Sequence, residues 1–185
     1  MASGLLESCP ITPGQSQGKA QSLCPPEKRG QTVSRKQDTR SDRLNFDGAC
    51  QPVNPGGMIA WGWILQTPEG QAFDSDCGVD PRLAPDNTNN VAEYLALIEG
   101  LRAAQEGQVS CLEVRGDSKL VIRQMCGEWG CHSERLRPLY EQAWDLARGF
   151  DRIGFEWVPR ERNQEADGLA QMAYEEEPIG RTREA

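Results

Sequence analysis

Residues 44–66, LNFDGACQPVNPGGMIAWGWILQ, contain two strand patterns separated by a loop rich in proline and glycine. Residues 44–50 are a short apolar run, and residues 58–66 alternate so that four large apolar side chains share one face. The following Thr67-Pro68-Glu69-Gly70 has proline second and glycine fourth, as a type I turn prefers. Residues 71–77 are therefore the predicted hairpin partner, and three antiparallel strands are expected first.

The rest of the globular part alternates between helix and strand patterns. Thr88 is the expected N-cap of a long apolar helix that ends near Gln105. The later predictions are a strand over 111–115, a short helix over 118–126, a helix with Pro138 in its first turn, a strand ending at Trp157 and a final helix capped by Asn163. A meander followed by such alternation predicts an α/β fold with a mixed five-stranded sheet and helices on both faces.

Four acids stand where a predicted strand ends or a predicted helix begins: Asp47, Glu93, Asp117 and Asp167. They lie within the strings LNFDGACQPVNPGG, TNNVAEYLALIEGL, LEVRGDSKLVI and VPRERNQEADGLA. If the fold brings these strings together, two such charges about 4 Å apart repel by roughly 4 kcal/mol at an effective dielectric of about 20. A cluster of this kind needs cations, and ligands that are all oxygen favour hard ions such as Mg²⁺ or Mn²⁺.

Three of the four acids also have an alternative interpretation that needs no metal. Asp47 before Gly48 suits a turn, and Asp117 and Asp167 suit helix N-termini through the helix dipole. Glu93 fits such an explanation less well, because an unpaired carboxylate on so apolar a helix is expensive near a core.

Charge and cysteine usage narrow the class of protein. The 185 residues carry a net charge of −8. Residues 1–43 account for +3, which leaves −11 for the remainder. An acidic body that binds phosphates needs a local basic stripe or metal ions. The chain has seven cysteines without a C-x-x-C pair, which indicates reduced thiols. Cys126, Cys131 and the lone His132 lack the usual zinc spacing, so ordinary thiols and a loop histidine are favoured there.

The two ends of the chain are predicted to be disordered tails. Residues 1–43 are polar, slightly basic and without aromatic residues, so they cannot bury enough surface to offset the ordering entropy. An organelle transit segment or a weak electrostatic tether to nucleic acid are the alternatives. A second tail is predicted at 176–185, leaving a catalytic domain over 44–175. No apolar run is long enough for a membrane helix, and we expect a cytoplasmic monomer.

The four strings, in this order and on these elements, resemble the type 1 ribonuclease H family of the ribonuclease H-like superfamily. The resemblance covers roughly residues 43–174, and the stretch GEWGCHSERLRPLYEQA resembles the variety that lacks the family's basic handle. It implies an endonuclease that hydrolyses the RNA strand of RNA–DNA hybrids and leaves 5′-phosphate and 3′-hydroxyl ends. Asp47, Glu93, Asp117 and Asp167 would then be the catalytic carboxylates that hold two Mg²⁺ ions, with Mn²⁺ as a substitute.

The resemblance also implies a set of substrate contacts near those acids. The implied substrate-binding residues are Gly48, Asn54, Thr88, Asn89, Asn90 and Ser118. Short amides can both donate and accept hydrogen bonds in the minor groove, where the 2′-hydroxyl distinguishes RNA from DNA. Turn and cap roles are the alternative for the asparagines and Thr88.

The chain departs from many relatives in two ways. They carry a histidine in the loop before the last acid, whereas this loop reads PRERNQEA, so Arg160 or Arg162 is the expected electrostatic substitute. The missing handle predicts weaker affinity for a hybrid, for which the basic tail could compensate. Two rival functions remain open at this level. One is a relative that binds nucleic acid without cutting it, and the other is a glycosidase with paired carboxylates, which the size of the chain disfavours.

Overall fold

Five strands form one mixed sheet in a computed structural model that describes residues 40–176. The strands are β1 (Asp42–Gln51), β2 (Met58–Gln66), β3 (Ala72–Asp80), β4 (Cys111–Gly116) and β5 (Arg152–Trp157). Their order across the sheet is β3-β2-β1-β4-β5. The β1–β2 and β2–β3 pairs are antiparallel, whereas β4 runs parallel to both β1 and β5. This is the predicted sheet, with the meander at one side and the parallel strands at the other.

Four helices complete the fold: α1 (Asn89–Glu106), α2 (Lys119–Met125), α3 (Arg137–Ala147) and α4 (Gln164–Glu176). Thr88 caps α1 as predicted, because its side-chain oxygen accepts a hydrogen bond from the Val91 N–H at 3.3 Å. The proline of α3 lies in its first turn, where no hydrogen bond is lost. Within residues 40–176, no helix has the length and apolar character needed to cross a membrane.

The helices cover both faces of the sheet. Alternate residues of β1 point to opposite faces, so Leu44 and Phe46 belong to the main core beneath α1 and α3. On the other face, Met58 and Ala60 of β2 pack against the end of α4. The single hydroxyl proton of Tyr174 is shared there between the carbonyl oxygens of Ala49 at 2.6 Å and Met58 at 2.9 Å, which fixes α4 across the antiparallel strands.

Two glycines at neighbouring positions of the sheet allow α1 and α4 to pack closely against its opposite faces. A Cβ atom on Gly48 would lie closer than 3.0 Å to backbone atoms of Ala92 and Glu93 in α1. A Cβ atom on Gly62 would lie 2.6 Å from the Ala170 nitrogen in α4. Gly62 is paired with Asp47, the residue before Gly48, so the two helices contact adjacent positions of the sheet from opposite sides.

Several predicted boundaries differ from the structure. β1 begins at Asp42, two residues inside the predicted tail, because Asp42 and Arg43 pair with Leu112 and Glu113 of β4. β3 continues beyond residue 77 to Asp80, which is paired with Ile59. The remainder of the predicted tails, residues 1–39 and 177–185, lies outside the described part of the chain.

The prediction that the Asn163 side chain caps α4 is wrong, because that side chain forms its hydrogen bonds with β1. Asn163 does precede α4, but its side chain is 1% exposed and binds β1 instead. Its Nδ2 donates to the Phe46 carbonyl oxygen at 2.9 Å, and its Oδ1 accepts from Asn45 Nδ2 at 3.1 Å. The asparagine therefore fixes the start of α4 to the strand that carries Asp47.

The close approach at Gly48 generates a stability prediction. Gly48→Ala should lower the free energy of unfolding by about 2 kcal/mol or more, because the new methyl group meets helix backbone that cannot rotate away. Denaturant titration checks this. Gly154→Ala in β5 is the matched control, since a Cβ atom there meets nothing within 4 Å and the change should cost less than about 1 kcal/mol. Equal losses in the two variants would contradict the packing role of Gly48.

Candidate active site

Two of the four acids lie side by side on neighbouring strands. Asp47 belongs to β1 and Asp117 directly follows β4, and each lies two residues beyond the paired residues Asn45 and Arg115. Because β1 and β4 are parallel, their carboxyl ends meet at one edge of the sheet. Asp47 is 5% exposed, whereas Asp117 is only half-buried.

Glu93 reaches the same edge from the first turns of α1, next to the contact with Gly48. Its side chain is 9% exposed, and its Oε2 atom is buried without a hydrogen-bond partner in the described chain. A buried carboxylate oxygen without a partner is costly, so this atom is suited to bind a cation.

One ligand oxygen from each of Asp47, Glu93 and Asp117 lies within 4.8 Å of the other two. Three hard oxygen donors, one of them a buried oxygen with no partner, fit a divalent cation such as Mg²⁺. Among residues 40–176, no second group of this kind is formed, and the interpretation of Cys126, Cys131 and His132 as ordinary loop residues stays a prediction.

Burial and mutual repulsion perturb the protonation of these acids. Burial, followed by the neighbouring charges of Asp117 and Asp167, raises the pKa of Asp47 to about 8. Burial also raises the pKa of Glu93 well above its ordinary value, and the charges of Asp47 and Asp117 add to this effect. In the absence of a cation, the cluster therefore holds protons at neutral pH that carboxyl groups in water would release.

Asp167, in the first turn of α4, lies beside this group and has a different partner. Its Oδ1 accepts a hydrogen bond from the guanidinium of Arg160, with which it forms an ion pair. The Asp167 charge raises the pKa of Arg160, and that of Asp47 adds to the effect. The guanidinium in turn acts to lower the raised pKa values of Asp47 and Glu93. Arg160 is thus a cation supplied by the chain itself to the acidic cluster.

Comparisons with known proteins agree with this geometry. Residues 45–173 match the family described as reverse transcriptase-like. Ribonuclease HI of Halobacterium salinarum is 38% identical over 142 residues, which cover 76% of this chain and 68% of that protein.

The chain belongs to the type 1 ribonuclease H family.

Solved structures of the family superpose on most of the described residues. The RNase H1 of Halobacterium salinarum has a TM-score of 0.68 at 36% identity, covering 74% of this chain and 99% of that one. The N-terminal RNase H domain of a Mycobacterium tuberculosis protein gives the same TM-score and identity, with 74% and 95% covered. LC11-RNase H1, solved in complex with an RNA/DNA hybrid, has a TM-score of 0.67 at 27% identity, covering 74% and 98%. The curated mycobacterial relatives are much longer, and this chain spans 24% of their length.

The structure agrees with the ribonuclease H variety that lacks a basic handle. Residues 126–136, which connect α2 to α3, contain no helix and carry two glutamates and one arginine. Glu128 is bound by Arg123, and Arg135 forms an ion pair with Asp86 at 2.7 Å. This connection therefore contributes no surplus positive charge to the ribonuclease H fold.

The predicted substrate-binding asparagines lie at the N-terminus of α1 and in the loop after β1. Asn54 Oδ1 accepts from the Asn89 N–H at 3.2 Å, and Asn89 Oδ1 accepts from the Cys50 N–H at 2.8 Å. The Asn54 oxygen therefore caps α1, as the alternative interpretation predicts, whereas the Asn89 oxygen binds the backbone of β1. Because each oxygen faces a backbone N–H, the Nδ2 groups of Asn54 and Asn89 are the atoms left for a ligand.

Asn87, which the sequence did not single out, holds this region together. Its Nδ2 donates to the carbonyl oxygens of Gly57 and Arg82, both at 2.7 Å, and its own carbonyl oxygen accepts from the Gly56 N–H. The only local feature that could have indicated this role is its position two residues before the expected start of α1.

The remaining predicted residues separate into distinct roles. Gly48 is covered by α1 on the side where a Cβ atom would project, which gives it a role in helix packing, and its contact with substrate stays a prediction. Ser118, at the N-cap position of α2, directly follows Asp117 and makes no side-chain capping hydrogen bond. Arg162 is exposed, and in the described part of the chain its side chain forms no ion pair or hydrogen bond with the acids.

The raised pKa of Asp47 generates a prediction about stability without metal. Because the folded pKa of about 8 exceeds the unfolded value of 3.8, the folded protein binds the extra proton between these values. The free energy of unfolding in chelator should therefore fall as pH rises from about 4 to about 8, by on the order of a few kcal/mol.

Asp47→Asn should flatten this profile and, at pH 9 in chelator, melt roughly 5 °C or more above the wild type. Saturating Mg²⁺ should stabilise the wild type more than the variant. Asp74→Asn, on the exposed edge strand β3, is the control and should keep the wild-type profile. Asp47→Asn melting clearly below the wild type in chelator would show that Asp47 has a structural partner instead.

Proposed function

We propose that this protein is a metal-dependent endonuclease that hydrolyses the RNA strand of RNA–DNA hybrids to 5′-phosphate and 3′-hydroxyl ends. The observation that carries the proposal is the convergence of Asp47, Glu93 and Asp117 within 4.8 Å from a strand, a helix and a strand end. The relatives support the substrate class, since one is named ribonuclease HI and another was solved with an RNA/DNA hybrid.

The acidic cluster is the proposed binding site for Mg²⁺, with Mn²⁺ as a substitute. Asp47, Glu93 and Asp117 would hold a first ion, and Asp167 would contribute to a second. Bound divalent ions lower the pKa of an attacking water and stabilise charge on a leaving oxygen. Residues on rigid strand and helix ends keep these carboxylates in place, so little reorganisation is needed before ions bind.

Arg160, rather than Arg162, is the proposed substitute for the histidine that many relatives carry. Arg160 binds Asp167 and partly offsets the charge on Asp47 and Glu93. It can therefore hold Asp167 at the site and share that carboxylate with an arriving cation. Arg162 lies in the same helical turn and has no such contact among the described residues.

The proposed substrate contacts are hydrogen-bond donors. Asn54 and Asn89 offer amide N–H₂ groups because their oxygens bind backbone N–H groups. Thr88 accepts from Val91 N–H, which leaves its hydroxyl proton free to donate. Donors of this kind match phosphate oxygens and the oxygen of a 2′-hydroxyl. Asn90 and Ser118 extend the same surface, and the cytoplasmic location and monomeric state stay predictions of the sequence.

The direct test is cleavage of labelled substrates by the full chain. We expect Mg²⁺-dependent cuts in the RNA strand of a hybrid and little cleavage of double-stranded or single-stranded RNA. Asp117→Asn should lower this activity more than about 100-fold. Mutation of a residue that only supports a metal ligand costs up to about 100-fold, and a proposed ligand should cost more. Asp145→Asn on the surface of α3 is the matched control and should cut as the wild type does. Tight hybrid binding without cleavage by the wild type would instead identify a binding protein.

Arg160 and Arg162 form a second matched pair. Arg160→Gln should lower kcat on a hybrid about tenfold, because Asp167 loses the group that holds it. Arg162→Gln should stay within about twofold of the wild type. Initial rates at saturating hybrid and Mg²⁺ measure both variants. Equal effects in the two would mean that general positive charge in this loop, and not the contact with Asp167, supports activity.

A further inference from the structure

One cation near the acidic cluster is bound to an aromatic ring instead of a carboxylate. The Lys119 Nζ atom lies 4.6 Å from the centroid of the Trp157 ring. Lys119 is the single lysine between residues 40 and 176, and within that range it forms no ion pair. By contrast, Arg123 on the same helix is bound by Glu128, and Arg160 by Asp167.

Trp157 is itself fixed to the acidic cluster. Its Nε1 donates to the carbonyl oxygen of Asp117 at 2.9 Å, and Trp157 is paired with Gly116 at the ends of β5 and β4. The ring is 37% exposed, although it ends a strand in which large apolar side chains usually face the core. The tryptophan thus forms a rigid platform at the edge of the sheet where the acids meet.

The platform keeps the ammonium close to the site without neutralising it. Lys119 is two residues from Asp117, so their Cα atoms are at most about 7 Å apart. A flexible lysine at this position would otherwise reach the nearby carboxylates, as the arginines do. An aromatic face attracts the cation and accepts none of its three N–H bonds as a carboxylate would. Those donors stay available to an anion that lies next to the acidic cluster.

We propose that Lys119, positioned by Trp157, binds a backbone phosphate of the hybrid next to the phosphodiester that is cut. The proposal rests on the proposed nuclease function and identifies a contact of that same site. A body of net charge −11 without a basic handle has few cations for a phosphate backbone, and Arg123 on α2 and Arg160 beside Asp167 are both held in ion pairs. Lys119 is the one on α2 whose charge is available.

The test is steady-state cleavage of a defined hybrid by the full chain at KCl concentrations from about 50 to about 200 mM. Over this range the affinity for a phosphate backbone depends steeply on salt. Lys119→Gln should raise KM about fivefold with kcat within about twofold. It should also reduce the slope of log(kcat/KM) against log[KCl] by about one, as expected for a lost phosphate contact. Lys119→Arg should restore both quantities. Arg123→Gln is the matched control on α2 and should leave the slope unchanged.

Trp157 is tested as a positioning residue by a double-mutant cycle. Trp157→Leu should raise KM to a similar extent, and adding Lys119→Gln to it should raise KM little further, because the ring acts through the ammonium. Fully additive effects would show that the two side chains act separately. Wild-type KM and salt slope in Lys119→Gln would overturn the phosphate contact and leave the nuclease function intact. A wild type that cuts no hybrid would overturn both.

Discussion

The close packing of two helices on opposite faces of β1 and β2 is the constraint on which the site depends. Gly48 lets the backbone of α1 approach β1, and Gly62 lets α4 approach β2 one residue pair away. Asp47 lies between these contacts because it precedes Gly48 and is paired with Gly62. The helices that carry Glu93 and Asp167 are thereby held against the strand that carries Asp47, and a side chain at either glycine would separate them.

This packing places like charges where water cannot screen them. The raised pKa of Asp47 and Glu93 and the unpartnered Glu93 oxygen are two signs of the same unfavourable arrangement. A buried acid without a cation destabilises the fold, and apolar residues of similar size at these positions would make it more stable. The acids therefore have no purely structural explanation. Arg160 offsets part of the charge from the exposed side, and the remainder is what a divalent ion would neutralise.

The sequence was sufficient for the fold and for the location of the acids, because both depend on local patterns. Apolar alternation identified β2, and the Thr88 cap and apolar faces identified α1. Side-chain partners depend on contacts between distant residues, and these were missed. Asn163 follows the pattern of a helix cap, yet it binds Asn45 and Phe46 more than 100 residues away. Likewise, no local pattern indicates that Trp157 would donate to the Asp117 carbonyl or that Asp167 would prefer Arg160.

Along the edge of the sheet, hydrogen-bond donors lie on both sides of the acids. In the order of the strands, the donors of Asn54 and Asn89 lie beyond β1, the acids lie between β1 and β4, and Lys119 with Trp157 lies beyond β4 and β5. Each flank offers N–H groups, and the centre offers carboxylates that need cations. A polyanion crossing this edge would meet hydrogen-bond donors at both ends and, between them, carboxylates that could hold a cation. The same order disfavours a neutral sugar substrate, because a neutral sugar gains little from a positively charged flank.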